Sequence, residues 1–192
     1  MTDRGERRST GVNATMTATS ASAVDAPTSW ERFEALYRSS RDDVYAYVAT
    51  LLREPAAAED VTALAFERAY RRRRSFDRAR GSERAWLFGI ARNAALDELR
   101  RRRRHAALAV DPADPAAAAL AGGDDPADDA LRRAAVRTAL DALAPREREL
   151  VALKFHAGLA NAEIARVLGV SESNAGTLLH RTLAKLRKAC DA

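Results

Sequence analysis

Apolar residues along this chain recur at three- and four-residue intervals and rarely alternate, which is the pattern of amphipathic helices. Trp30, Phe33, Leu36 and Tyr37 predict a first helix capped by Ser29. Val44, Val48, Leu51 and Leu52 predict a second from about Arg41. Pro55 opens a third that runs through Val61, Leu64, Ala65, Phe66, Ala69 and Tyr70. After a loop around Phe76 to Gly81, a fourth extends from Glu83 to about Arg104, with Trp86, Leu87, Ile90, Ala91 and Ala94 inward. Further on, Leu131 to Leu143 reads as an amphipathic helix, and Pro145 opens another that Gly158 ends. A short helix then holds Ala162, Ile164, Ala165, Val167 and Leu168 and stops at Gly169. Ser171 caps a last helix carrying Ala175, Leu178, Leu179, Thr182, Leu183 and Leu186. The expected fold class is all-α, with two small helical bundles.

Composition agrees with helices. Of 192 residues, 47% are hydrophobic and 6% aromatic, with 9 Gly and 6 Pro, too few turn formers for a β-sandwich. The net charge of +5 conceals strong segregation. Residues 30–104 carry +6, residues 105–130 carry six aspartates and no Lys or Arg, and the remainder to residue 192 carries +5. The acidic stretch includes Pro112, Pro115, Gly122, Gly123 and Pro126, all helix breakers, and reads as a flexible linker. Residues 1–29, rich in Ser, Thr and Ala without periodicity, read as a disordered tail. The domains expected are thus 30–104 and 131–192. Their linker lets them be placed independently or fold against each other.

Several function classes recede at once. A single cysteine, Cys190, makes no internal disulfide, and His105, His156 and His180 stand apart from any metal-ligand spacing. Apolar runs are too short for a membrane helix, and the N-terminus lacks a signal sequence. A cytoplasmic protein without membrane insertion is expected. Nucleophilic triads, Gly-rich phosphate loops and metal clusters are not evident, so neither an enzyme nor a cofactor nor a small-molecule substrate is expected.

The basic segments carry the chemistry. Arg100 to Arg104 are five consecutive arginines at a helix end, more than a helix dipole needs, and they encircle the axis. Arginine forks match phosphate oxygens, and neighbouring Trp86, Phe88 and Phe76 offer stacking surfaces for unpaired bases. Arg71 to Arg74 form a second basic run, readable as a solvated face or a nucleic-acid contact. In the second module, NAEIARVLGVSESNAGTLLHRTLAKLRK has the helix, Gly turn and helix of a DNA-binding helix-turn-helix.

Two strings, AEDVTALAFERAY with WLFGIARNAALDELRRRRR, and LAPREREL with GLANAEIARVLGVSES and LLHRTLAKLR, resemble the bacterial RNA polymerase sigma factors of the extracytoplasmic-function (ECF) group. The resemblance implies an alternative sigma factor that binds core RNA polymerase, directs it to promoter DNA and assists strand opening, under control of an anti-sigma factor. It implies polymerase docking through Asp60, Phe66, Arg68 and Tyr70. It implies contact with the minus-ten element through Trp86, Arg92, Asn93, Asp97, Arg100 and Arg101. The recognition helix would read the minus-thirty-five element through Glu172, Ser173, Asn174, Thr177, His180 and Arg181. The acidic linker would thread the polymerase's RNA-exit path. Ala63, Leu64, Gly176 and Leu178 stand where the family commonly has polar or basic residues. The alternative reading is a stand-alone helix-turn-helix transcriptional regulator, which would be expected to carry a receiver or ligand-binding domain ahead of the second module.

Overall fold

The computed structural model describes residues 28–108 and 127–190. Among them are seven α-helices and no strand: α1 (Ser29–Leu52), α2 (Pro55–Arg72), α3 (Glu83–Leu108), α4 (Ala127–Asp141), α5 (Pro145–Phe155), α6 (Asn161–Leu168) and α7 (Glu172–Cys190). Two single turns of 3₁₀ helix, Arg73–Ser75 and Arg78–Arg80, lie between α2 and α3. The expected all-α class and the two bundles are both present. Of the tail expected over 1–29, Thr28 caps α1 and Ser29 opens it, and of the linker expected over 105–130, residues 105–108 continue α3 and 127–130 open α4; residues 1–27 and 109–126 lie outside the described residues.

The first two expected helices are one. Thr28, not Ser29, is the cap: its hydroxyl accepts from the Glu31 N–H at 3.2 Å, and the Glu31 carboxylate accepts from the Thr28 N–H at 2.7 Å. The chain runs through Ser39 and Ser40 to Arg41, the expected start of the second helix, without a break. Ser39 donates to the Leu36 carbonyl at 3.2 Å, and buried Ser40 accepts from Arg84 at 3.1 Å. Both hydroxyls find partners without interrupting the backbone ladder. The helix ends where Arg53 turns left-handed at φ 57°, two residues before Pro55 starts α2.

In the first bundle, α1, α2 and α3 meet over Val44, Tyr47 and Val48, over Ala58, Ala65 and Ala69, and over Leu87, Phe88 and Ala91, all buried. The alanines let the helix axes approach closely, so long aromatic and aliphatic side chains fill the remaining space. In the second bundle, α5 and α6 bury Leu150, Leu153 and Ile164, and α7 buries Ala175, Leu179 and Thr182. Gly158 and Gly169, at φ 64° and 69°, supply the left-handed residues that end α5 and α6. Ser171 caps α7 as its sequence predicts, accepting from the Asn174 N–H at 3.2 Å.

The two bundles lie against each other. One buried apolar cluster runs without a break from Val44, Tyr47 and Phe88 into Leu150, Leu153 and Ile164. α1 packs on α5, and α3 packs on α6. Of the two arrangements the linker permits, the structure adopts the closed one.

Candidate nucleic-acid interface

Helix α3 presents two functional faces. With 3.6 residues per turn, Trp86, Asn93, Asp97, Arg100 and Arg104 follow one another at intervals of seven, four, three and four and share a face. Asn93, Asp97, Arg100 and Arg104 are exposed there, and Trp86 is half-buried. Arg84, Phe88 and Arg92, at four-residue intervals, form a different face turned towards the second bundle. Five of the six residues implied for the minus-ten contact therefore cluster, Arg101 being adjacent and exposed. Arg92 does not join them: its Nε lies 2.7 Å from the Glu149 carboxylate.

The arginines at the end of α3 are partly engaged within the helix. Arg100 pairs with Asp97 at 3.0 Å, and Arg101 makes two bonds to Glu98 at 2.7 and 2.8 Å. Arg102 bonds Glu98 at 2.8 Å and reaches Glu54 at 2.6 Å. Bonds from Arg101 and then Arg102 hold the Glu98 carboxyl down at about 2. The Arg100–Asp97 pair, exposed on both sides, contributes little to stability, so exchanging its carboxylate for a phosphate costs Arg100 little.

A cleft of about 410 Å³ opens beside this face. Its walls are Phe33 from α1, Arg74, Phe76 and Arg78 from the connecting loop, and Trp86 from α3. The Phe76 and Trp86 rings stand 5.6 Å apart, tilted 54°. Rings flanked by arginines can receive a flat, anionically tethered group such as an unpaired nucleotide. The Arg71 to Arg74 run foreshadowed this cleft, but the contribution of α1 was invisible before α1 and the loop were folded together.

On α2 the implied polymerase-binding residues separate. Asp60 is exposed, in line with Ala63, Glu67 and Arg71. Phe66 is core instead, 5% exposed, with its ring 4.8 Å from that of Tyr37. Tyr70 is half-buried between Trp30 and Phe33, and the Arg73 guanidinium lies 3.9 Å over its ring. Arg68 turns to α3 and bonds Asp97 at 3.2 Å. The free face of α2 thus offers Asp60 and Glu67, and Glu67 was missed because its i,i+4 spacing to Arg71 looks like an ordinary surface pair.

The recognition helix keeps its expected face. Glu172, Ser173, Asn174, Thr177, His180 and Arg181 are all exposed, while Ala175, Leu179 and Thr182 are buried on the other side. Leu178, a departure from the family pattern, is half-buried against the core. Gly176 lies beside α6, where an added Cβ would stand 3.5 Å from the Asn161 amide nitrogen, an ordinary contact.

Sequence reasoning allowed the bundles to fold against each other but named none of the residues at the seam. Glu149 is 7% exposed and accepts from Arg92 and, at 3.2 Å, from the Tyr47 hydroxyl. Burial, and then the Glu149 charge, pushes the Tyr47 hydroxyl well above its usual range, so it remains a donor. Arg84 bonds the Ala157 carbonyl at 2.5 Å, the His156 carbonyl at 3.0 Å and Asp43 at 2.5 Å. Ser82 donates to Glu163, Arg166 donates to the Arg80 carbonyl, and Arg53 bonds Asp141 at 2.5 Å. The pairs that cross the seam are 57 to 102 residues apart in the chain, beyond the reach of helical periodicity.

Among the described residues no helix is long and apolar enough to cross a membrane, and no cluster of His, Cys, Asp or Glu fits a metal. Residues 36–105 match the family model for Sigma-70 region 2, and residues 133–186 match that for Sigma-70, region 4. The chain is similar to the ECF RNA polymerase sigma factor BldN of Streptomyces coelicolor, at 35% identity over 159 residues, covering 81% of this chain and 60% of that relative's length. It is similar to the ECF RNA polymerase sigma factor SigK of Mycobacterium tuberculosis, at 30% identity over 167 residues, covering 83% of this chain and 86% of the relative. In fold it matches the sigma factor RpoE of Bartonella quintana, solved with the anti-sigma factor NepR, at TM-score 0.67 and 21% identity, over 84% of this chain and 98% of that one. With α3 and its arginines inside one match, the helix-turn-helix inside the other, and similarity at 30% identity spanning both bundles, this chain belongs to the ECF RNA polymerase sigma factors.

Proposed function

We propose that this protein is a non-catalytic alternative sigma subunit that binds core RNA polymerase, brings it to specific promoters and assists strand opening. The observation that carries this reading is the aromatic, arginine-walled cleft beside the exposed face of α3, in the same chain as an exposed recognition helix. One surface suits separated strands and the other suits duplex DNA.

In this reading the face of Trp86, Asn93, Asp97, Arg100 and Arg101 follows the minus-ten strand. Arginines hold its backbone, and a base swung out of the stack enters the cleft against the Phe76 and Trp86 rings. Such a base exposes a hydrogen-bonding edge that duplex DNA conceals. Glu172, Ser173, Asn174 and Thr177 enter the major groove at the minus-thirty-five element, with His180 and Arg181 following the backbone. Asp60, with Glu67, meets the polymerase; Phe66 and Tyr70 support that surface from beneath. The protein works in the cytoplasm, where polymerase and promoters are, and needs no cofactor. The fold it shares with a sigma factor solved in an anti-sigma complex supports control by an anti-sigma factor. A stand-alone regulator is not favoured, because the first bundle matches Sigma-70 region 2 and holds no receiver domain.

The test is transcription in vitro. Purified protein added to core polymerase should yield transcripts from promoters that core alone ignores. If no genomic promoter responds and core is not bound, the reading fails.

A further inference from the structure

We propose that Trp30 is a second nucleotide platform: its open indole face stacks the unpaired base adjoining the one that the cleft takes. Arg73 and Arg74 hold the phosphate between the two. The proposal rests on the sigma reading above and deepens it, adding a subsite on α1 for the single strand.

Trp30 is 57% exposed, and an indole left in water forgoes a large burial of apolar surface. Apolar side chains scattered singly over a surface need no explanation, but Trp30 is not single. Its ring stands 5.8 Å from that of Tyr70, and Phe33 stands 5.2 Å from the same Tyr70 ring. Phe33 in turn lines the cleft, so a run of aromatic rings leads from the cleft wall to the exposed indole. Helix geometry sets Trp30 about 60° round α1 from Phe33. Side chains three residues apart on a helix stand about 5–6 Å from each other at Cβ, the scale of one nucleotide step.

The indole has a face to offer. Trp30 and Tyr70 meet at 87°, and a perpendicular contact covers at most one face of a ring. With more than half of the residue in water, the other face is open. An open aromatic face takes any of the four bases, because each has a π-face.

Arg73 ties this platform to the cleft. Its guanidinium lies 3.9 Å over the Tyr70 ring, its Nη1 donates to the Tyr70 carbonyl at 2.7 Å, and it lines the cleft. Its Nε is buried without a hydrogen-bond partner, so the fork is held in place with a donor unmet. Arg74, also in the cleft wall, is exposed and pairs with no carboxylate among the described residues, unlike Arg100, Arg101 and Arg102 at the end of α3. A single DNA strand alternates phosphate and base, and this surface alternates guanidinium and ring in the same way. That match favours the strand as occupant over a face of the polymerase.

The test uses holoenzyme assembled from core and the full chain as wild type, Trp30→Ala, Trp30→Phe and Trp86→Ala. The probe is a fluorescent single-stranded minus-ten oligonucleotide, intact or with one abasic position moved along the strand. Trp30→Ala should weaken binding of the intact strand roughly tenfold and Trp30→Phe about threefold, because the smaller ring keeps part of the stacking. On wild type, an abasic position beside the flipped base should cost the same factor as Trp30→Ala, and with that strand Trp30→Ala should add nothing. Affinity for core should be unchanged. Trp30→Phe keeps a ring against Tyr70, so it remains informative if Trp30→Ala disturbs the fold. Equal Trp30→Ala losses at every abasic position, or unchanged strand affinity in both Trp30 variants, overturn the platform. Weakened core binding with unchanged strand affinity also overturns it and assigns the indole to the polymerase. In each of these cases a large loss of strand affinity in Trp86→Ala leaves the sigma reading standing. Failure of wild-type holoenzyme to bind the intact strand overturns both.

Discussion

Arg166 places its guanidinium where a side chain on Gly81 would begin: a Cβ there would lie 2.5 Å from Nη1. Gly81 also sits at φ 137°, ψ −173°, a region essentially reserved for glycine. The turn before α3 is therefore shaped for its own backbone and for an arginine from the other bundle. Gly81→Ala should destabilise the protein by about 1–3 kcal/mol. In a double-mutant cycle the loss should shrink on an Arg166→Ala background, since the displaced group is then gone. Equal losses on both backgrounds would mean backbone strain alone is responsible.

Gly176 makes the opposite case. It is helical, and its missing Cβ would meet only the Asn161 amide at contact distance. Gly176→Ala should raise stability by about 0.5–1 kcal/mol, read from thermal or urea unfolding. Binding to a minus-thirty-five duplex should stay unchanged. A marked fall in that affinity would show that DNA needs the bare backbone here.

Acid should loosen the end of α3. The Glu98 carboxyl, bonded by Arg101 and Arg102, is held at about 2, below its unfolded value of 4.5. A depressed carboxyl contributes stability that is present above the unfolded value and lost as pH falls towards the folded one. Between about pH 5 and pH 2, the wild type should lose stability more steeply than Glu98→Gln. Parallel unfolding curves for the two proteins across that range would contradict it.

The two DNA surfaces should respond differently to substitution. Arg104→Ala should weaken binding of holoenzyme to all promoters alike and lower the salt slope by about one. Asn174→Ala should instead relax sequence preference at one or two positions of the minus-thirty-five element, by about 1–3 kcal/mol per lost base contact. A selective effect from Arg104, or a uniform one from Asn174, would reassign the residue concerned.

A shared core should unfold as one. Leu150 is fully buried in the cluster that continues into Tyr47 and Phe88. Leu150→Ala should cost about 2–5 kcal/mol and shift a single transition reported by probes in either bundle. Two separate transitions, with only the second moving, would show that the bundles unfold independently.

The residues themselves determined most of the local structure. Periodicity predicts eight helices, because each must bury one face; the first two are one in the structure and the other six stand, and Pro55, Pro145, Gly158, Gly169 and Ser171 mark the ends they were expected to mark. The recognition face is also legible, since exposed Ser173, Asn174 and Thr177 alternate with buried Ala175 and Leu179 at helical spacing. Sequence divided α1 at about Arg41, whereas the helix runs on through Ser39 and Ser40, whose hydroxyls are satisfied by Leu36 and Arg84. The outward roles of Phe66 and Arg92 came from the family resemblance, not from the helical pattern, which set Phe66 among its apolar positions. A helical period says which residues share a face, but not what covers that face. Only the tertiary structure put Tyr37 over Phe66, Glu149 beside Arg92 and Arg166 over Gly81. Contacts between segments far apart in the chain depend on shape and charge meeting in space, and no local pattern encodes them.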